Sequence, residues 1–256
     1  MKKFLQQSPK IIYHNPLVVI CTGVIVLTGC SSGSTSTATS PPPETPTKTA
    51  TPPPIYSSEH IKKNLIPPEE VAKNLRKVEV AFQGAKEGKA TSCSLSKVEL
   101  PGDPEIIARQ LVRNNHPSTE IHYIQFIARY KDPQEAGAAF QKVQNKALSC
   151  PPKQNVPPKR TSRGTTMLPH KDTWKTEEGI VAGWRHLRGH ERRTFPRSMT
   201  RYNISFMVYD YAVRGNVLVC TYYSERQNPG ESSTPITKRA TEILTRQLQK
   251  LDSQIP

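Results

Sequence analysis

The strongest two-residue alternation in the chain runs through residues 120–130. There Ile124, Phe126, Ala128 and Tyr130 fall on one set of positions while Gln125 and Arg129 fall on the other, the pattern of a strand with one buried face. Asp132-Pro133-Gln134-Glu135 follows as N-cap, proline at the first helical position and glutamate at the third, which predicts a capped helix start. Ala136, Ala139, Phe140, Val143 and Ala147 then recur at helical spacing, Cys150 continues the same face, and Pro151-Pro152 ends it. A second alternation sets Ile204, Phe206 and Val208 against Ser205, Met207 and Tyr209 within 202–213. Arg214-Gly215-Asn216 reads as a tight turn and 217–223 as the return strand, so a β-hairpin is predicted. Thr234 with Pro235 opens a closing helix whose stripe is Ile236, Ala240, Ile243, Leu244, Leu248 and Leu251.

Between these elements the pattern is thinner. Pro67-Pro68-Glu69-Glu70 reads as a helix start, with Leu65, Ile66, Val71, Leu75 and Val78 forming a narrow apolar stripe. Residues 84–91 read as a loop into a short strand over 93–100. A second helix is expected from Asp103, with Pro104 at its first position and Ile106, Ile107 and Leu111 on its covered side. Residues 151–166 read as loop and 180–187 as strand. About 200 residues follow the N-terminal segments, enough for one sheet-and-helix domain.

The N-terminus follows another logic. Lys2, Lys3 and Lys10 precede an apolar run over 17–27, and Leu27-Thr28-Gly29-Cys30 closes it, the arrangement of a lipoprotein signal. A helix over 17–29 would span roughly 20 Å, short of the ~30 Å hydrocarbon core, so a permanent transmembrane helix is disfavoured. Residues 1–29 are therefore expected to be a signal peptide. Cys30 becomes the first mature residue, carrying diacylglycerol on its thiol, and the acyl chains hold the protein to the membrane. The Ser/Thr/Pro-rich tract that follows, with Pro41-Pro42-Pro43 and Pro52-Pro53-Pro54, cannot bury a core and reads as a disordered linker over 30–58. The folded domain is expected over 59–256, on the outer face of the cytoplasmic membrane.

Charge adds a candidate surface. The chain carries +15, and +12 once the three signal lysines are removed. Within 151–201, twelve Lys and Arg stand against Asp172, Glu177, Glu178 and Glu191. Arg185, Arg188, Arg192, Arg193, Arg197 and Arg201 are the candidate residues for an anionic ligand, because guanidinium offers a bidentate fork to phosphate or carboxylate. Trp174 and Trp184 are candidates to line a pocket beside them. An exported chain does not meet nucleic acid, so the expected partners are the membrane itself, a small-molecule, glycan or lipid ligand, and another envelope protein.

Strand, capped helix and cysteine over 128–150, the turn Arg214-Gly215-Asn216-Val217-Leu218-Val219 and the closing amphipathic helix, in this order, resemble the extracellular sensor-domain family of the mycobacterial serine/threonine kinase PknH. That domain also occurs in free-standing actinobacterial lipoproteins, which the lipobox fits. The resemblance covers roughly residues 60 to 253. It implies an α+β fold, a mainly antiparallel sheet with helices packed around a cleft, and ligand binding without catalysis. The family typically carries two disulfides. Here Cys21 leaves with the signal and Cys30 is acylated, so Cys93, Cys150 and Cys220 remain, enough for one bridge within a monomer. The resemblance favours Cys93 with Cys150, leaving Cys220 as a buried apolar residue.

Catalytic and metal signatures are weak. Ser94-Leu95-Ser96-Lys97 matches a Ser-x-x-Lys pattern, yet its partner motifs are absent. His186 and His190 stand four apart, but the surrounding residues argue against a helix that would aim both at one metal. No enzyme activity, cofactor or metal is expected. The alternative readings are an envelope lipid-transport or assembly accessory that binds anionic lipid, and a hydrolase whose groups converge from distant positions.

Overall fold

Local signals and long-range pairing together produce the order α1 (Ser58–Lys63), α2 (Pro68–Val71), β1 (Arg76–Val78), α3 (Gln83–Lys86), β2 (Lys89–Ser92), a 3-10 turn (Cys93–Leu95), β3 (Ser96–Glu99), β4 (Glu105–Arg113), β5 (Ile121–Arg129), α4 (Pro133–Leu148), β6 (Lys153–Val156), β7 (Lys159–Arg160), β8 (Thr166–Met167), β9 (His170–Val181), β10 (Trp184–Thr194), β11 (Ile204–Arg214), β12 (Val217–Gln227) and α5 (Thr234–Asp252). The structure, a computed structural model, describes residues 52–80, 83–113, 120–160, 166–198 and 201–253. The expected signal peptide over 1–29, Cys30 and most of the Ser/Thr/Pro tract lie outside the described residues.

Eight strands form one antiparallel sheet in the order β1-β4-β5-β12-β11-β10-β9-β6, and β2-β3 and β7-β8 make two small ribbons. The fold is α+β. α4 covers one face, where Ala136, Phe140 and Val143 meet Phe126, Ala128, Tyr211 and Leu218. α5 covers the other, where Leu244, Leu248 and Leu251 pack with Ile127, Ala212 and Val219. The central strands are thus buried on both sides, which corrects the one-sided reading of 120–130. Gln125 and Ile127, on the supposedly open set, are 1% and 0% exposed. Gln125 pays no penalty for this, because its amide donates to Gln247 Oε1 at 2.8 Å while its own oxygen accepts from Arg109.

The α4 cap behaves as local chemistry dictates, whereas at α5 the cap position falls on Ser233 rather than Thr234 and makes no side-chain capping bond. Asp132 Oδ1 accepts from the Glu135 N–H at 2.9 Å, and Pro133 begins α4. The β11–β12 turn places Gly215 at φ +53°, where a Cβ would fall 1.8 Å from the Pro54 carbonyl oxygen, so only glycine fits. Asn216, buried beside it, donates from Nδ2 to the Tyr56 and Tyr130 carbonyls and accepts the Tyr56 N–H. Tyr56 itself is 1% exposed and donates its hydroxyl to Asp252. The fold therefore reaches back into residues assigned to the linker by their composition.

Three further expectations are corrected. The helix from Asp103 is strand β4, paired with β5 through Ala108↔Phe126 and Leu111↔Tyr123. Adjacent β-branched Ile106 and Ile107 suit that pairing, and Asp103 sits at φ +45° rather than in a capping conformation. The strand over 180–187 is broken by a turn at Ala182 and Gly183, both at positive φ, which joins β9 to β10 as a type I′ hairpin. Residues 153–156, read as loop, form edge strand β6 against β9. Cys93 and Cys150 are disulfide-bonded, with Cα atoms 6.1 Å apart, tying the β2–β3 ribbon to the end of α4. Cys220 is free and buried on β12.

Candidate functional site

β10 carries four of the six candidate arginines, and its two-residue period sends them to opposite sides of the sheet. Arg188 shares the α5 side with His186 and His190. Its Nε donates to Asp210 Oδ1 at 2.6 Å and its Nη1 to Thr241 Oγ1 of α5 at 2.5 Å, while His186 Nε2 lies 2.8 Å from the same Asp210 oxygen. Burial acts to raise the Asp210 pKa, but the His186 and Arg188 bonds hold it below the usual carboxylate range. Arg188 is thus a buried strut between sheet and helix. Arg192, next on this side, is exposed and donates to Thr194.

On the α4 side, exposed Arg185 lies over the Phe140 ring at 4.3 Å. Arg193, half-buried, is held in a network. Its Nε and Nη2 donate to the two Asp172 oxygens at 3.1 and 3.2 Å, and Nη2 also donates to Glu191 Oε1 at 2.9 Å. The 3-10 turn closes the network from above: Ser94 N–H donates to Glu191 Oε2 and Ser94 Oγ to Asp172 Oδ2, each at 2.8 Å. Two buried carboxylates share one guanidinium here. Burial pushes Glu191 up to about 7, against the pull of Arg193. For Asp172 burial also acts upward, yet the Arg193 and Ser94 bonds keep it below its ordinary value.

This arrangement gives the Ser94 hydroxyl of the Ser-x-x-Lys pattern a carboxylate partner. The hydroxyl donates to Asp172 Oδ2 at 2.8 Å, and His170 Nε2 lies 3.5 Å from that same oxygen, so the partner of the hydroxyl is the carboxylate and not the imidazole. A carboxylate with a depressed pKa is a poor general base. Lys97 of the Ser-x-x-Lys pattern lies on strand β3 beside Gly84. Among the described residues, no group of three or more His, Cys, Asp or Glu is arranged to hold a metal ion.

A concavity opens beyond this network, at the end of the sheet where β6, β9 and the segment after β10 meet. It encloses about 690 Å³. Val156, Pro157, Pro169, Phe195 and Pro196 give it apolar walls, and Lys171 and Arg197 bring positive charge. Asn203, 4% exposed, sits among them. Its Nδ2 donates to the Phe195 carbonyl at 2.8 Å and the Phe195 N–H donates back to the Asn203 carbonyl at 2.8 Å, which fixes the amide. The Asn203 Oδ1 is consequently buried without a hydrogen-bond donor. His170 lies 2.7 Å from the Leu168 carbonyl through Nδ1; since a carbonyl only accepts, that nitrogen carries the hydrogen.

Of the six arginines, then, only Arg197 lines this cleft. Arg201 is exposed and lies over Tyr202 at 4.9 Å. Trp174 and Trp184 do not line it: Trp174 is anchored by Nε1 to the Ala147 carbonyl, and Trp184 is buried against Tyr56. The cleft residues missed in the sequence are Asn203, Phe195 and His170; Asn203-Ile204-Ser205 matches an N-glycosylation sequon, which in an exported bacterial chain reads as chance, and Phe195 and His170 carry no motif. Asp210 did leave a trace, an acid inside the apolar alternation of 204–213 that demands a buried cationic partner.

No protein-family model matches the chain, and no curated protein matches it. Among solved structures, LpqN of Mycobacterium tuberculosis, described as involved in cell envelope biogenesis, aligns at 7% identity and a TM-score of 0.31, over 74% of this chain and 95% of that one. The extracellular domain of PknH from Mycobacterium tuberculosis aligns at 13% identity and a TM-score of 0.52, over 78% of this chain and 98% of that one. The chain has the α+β fold of the PknH extracellular domain, as the order of its strand, capped helix, hairpin and closing helix anticipates.

Proposed function

We propose that this chain is a lipid-anchored protein of the cell envelope whose domain binds a ligand at the end of the sheet and catalyses no reaction of its own. The observation that carries the binding is the buried, donor-less Asn203 Oδ1 inside a cleft of about 690 Å³, a size typical of small-molecule sites. An acceptor locked in this way favours a ligand that supplies an N–H or O–H. Lys171 and Arg197 favour an anionic group on the same ligand, and the proline and phenylalanine walls favour an apolar or planar body. The anchor rests on Leu27-Thr28-Gly29-Cys30, and the fold likeness to an extracellular domain supports the compartment. The Ser94 hydroxyl, bonded to the Asp172 carboxylate, supports the absence of catalysis.

The test is a mass-spectrometric comparison of small molecules released from the full chain after gentle extraction from its native envelope. The wild type is expected to carry a compound that Asn203→Leu and the Lys171→Ala/Arg197→Ala pair do not. Equal recovery from all three proteins would remove the cleft as the binding site. For the anchor, globomycin should accumulate the uncleaved precursor, and a chain processed normally in its presence would overturn the lipoprotein reading.

A further inference from the structure

A second concavity lies on the α5 side of the sheet, about 340 Å³ between the first turns of that helix and strands β9 and β10. α5 is 19 residues long, and its N-terminal end lacks the usual compensation. No acidic residue stands in its first turn, and Ser233 at the cap position makes no side-chain capping bond. The positive end of the helix dipole therefore faces the concavity without a carboxylate of its own element. The first backbone donors are already engaged: Thr234 N–H donates to Ser232 Oγ, Ile236 and Thr237 N–H donate to the Ser233 carbonyl, and Pro235 has none. What the helix offers is its field and the side chains of Ser233, Thr234, Thr237 and Lys238.

The floor supplies an independent sign of a ligand. His190 lines the concavity with its side chain 4% exposed, and neither ring nitrogen makes a hydrogen bond. A neutral imidazole holds one donor and one acceptor, so a buried ring with both unused is a costly arrangement. Its charged surroundings come from three elements. On β9, Glu177, whose carboxylate also lines the concavity, forms an ion-pair contact with His190, Oε2 standing 3.4 Å from Nε2, longer than a good hydrogen bond, and its Oε1 holds Lys175 at 2.8 Å. On β10, Arg188 is tied to Asp210 of β11 and to Thr241. On α5, Lys238 stands at the rim. Burial lowers the His190 pKa, Glu177 opposes this, and Lys175 and Arg188 add to it.

We propose that this concavity is an oxyanion site that takes a phosphate group, with His190, the Thr234 and Thr237 hydroxyls, Lys175 and Lys238 as its donors. The anion supplies the negative charge missing at the helix terminus and a closer acceptor for the imidazole than the Glu177 carboxylate, with which it competes. The site is separate from the cleft around Asn203, which lies at another part of the sheet and has different lining residues. A phosphate can arrive free or as the head group of an anionic lipid, and the two sources share this chemistry.

The test uses the full chain in uncharged detergent, titrated with inorganic phosphate and followed by calorimetry and by the His190 ring resonances. Phosphate is expected to bind, to shift those resonances and to raise the His190 titration midpoint, because it favours the imidazolium. Lys238→Ala, at an exposed position, is expected to weaken binding about tenfold while leaving the unfolding midpoint unchanged. Thr237→Val is the second variant, with a smaller loss. In phosphatidylglycerol nanodiscs, apparent phosphate affinity falls relative to phosphatidylcholine nanodiscs if the head group competes, and is equal in both if the ligand is free phosphate. Absence of a His190 shift at tens of millimolar phosphate, or equal affinity in wild type and both variants, overturns the proposal.

Discussion

Replacing Glu191 by glutamine tests the buried carboxylate pair directly. Glu191 is fully buried; its Oε2 accepts from Ser94 N–H and Tyr209 O–H, and its Oε1 from Arg193. Burial raises its pKa from 4.5 to about 7, Arg193 pulls it down and the Asp172 charge adds to the rise. At 1.36 kcal/mol per unit, that rise corresponds to about 3 kcal/mol. Between pH 4.5 and 7 the folded chain keeps a proton that the unfolded chain has released. This contribution to stability is therefore full below pH 4.5, falls as pH rises, and is gone above 7. His190, whose folded pKa is lowered, works in the opposite sense: its cost appears as pH falls below the ordinary 6.5. The two are separated by subtraction. The Glu191→Gln side chain is a permanent mimic of the protonated acid, with an N–H to offer Asp172. Urea unfolding followed by tryptophan fluorescence at about pH 4.5, 6 and 8 should show the variant gaining about 3 kcal/mol on the wild type across the series. A wild-type-minus-variant difference that stays constant with pH would refute the assignment of the proton to Glu191.

Two further substitutions probe the scaffold around this pair. Replacing Cys93 and Cys150 together by serine opens a 57-residue separation, and the chain-entropy relation puts the loss at about 4 kcal/mol; an unchanged urea midpoint relative to the oxidised wild type would contradict it. In Gly189→Ala, the new Cβ would fall 2.1 Å from Trp174 Cη2, and Trp174 is held in place by its bond to the Ala147 carbonyl. A loss of about 1–3 kcal/mol with an altered near-ultraviolet circular dichroism signal is expected, and a wild-type spectrum and midpoint would count against the close packing.

The elements legible in the sequence are those whose signals sit within a few residues. Asp132-Pro133-Gln134-Glu135 states a helix start by local hydrogen bonding alone, and the stripe from Ile236 to Leu251 states which side of α5 is covered. β4 was not legible, because Ile106, Ile107 and Leu111 satisfy a helical spacing as well as a strand, and pairing with β5 decides between them. The turn at Ala182-Gly183 escaped for a different reason. Alanine rarely accepts the left-handed conformation, so the dipeptide lacks the Asn-Gly or Asp-Gly signature, and only the flanking register of β9 against β10 imposes it. Gln125 looked like an open-face residue because its partner, Gln247, is 122 positions away.

The basic tract shows the same separation at the level of function. Counting charge over 151–201 treats Arg188 and Arg193 as free cations, yet strand register sets Asp210 beside the first and Asp172 with Glu191 beside the second. Their guanidinium groups are committed to holding α5 and the Ser94 turn to the sheet. At the two concavities the charge left for a ligand belongs to side chains at the rims, Lys171 and Arg197 at the sheet end and, at the α5 terminus, Lys238 with Lys175, whose ammonium is already shared with Glu177. Neither pair is adjacent in sequence, and Lys238 lies outside the tract altogether. Each pair stands beside a buried polar group with unused hydrogen-bonding capacity, Asn203 in one place and His190 in the other. Cations at a rim attract many anions, whereas a fixed acceptor or an unsatisfied imidazole discriminates among them by geometry. Selectivity at both sites is therefore expected to follow Asn203 and His190, and salt dependence to follow the lysines and Arg197.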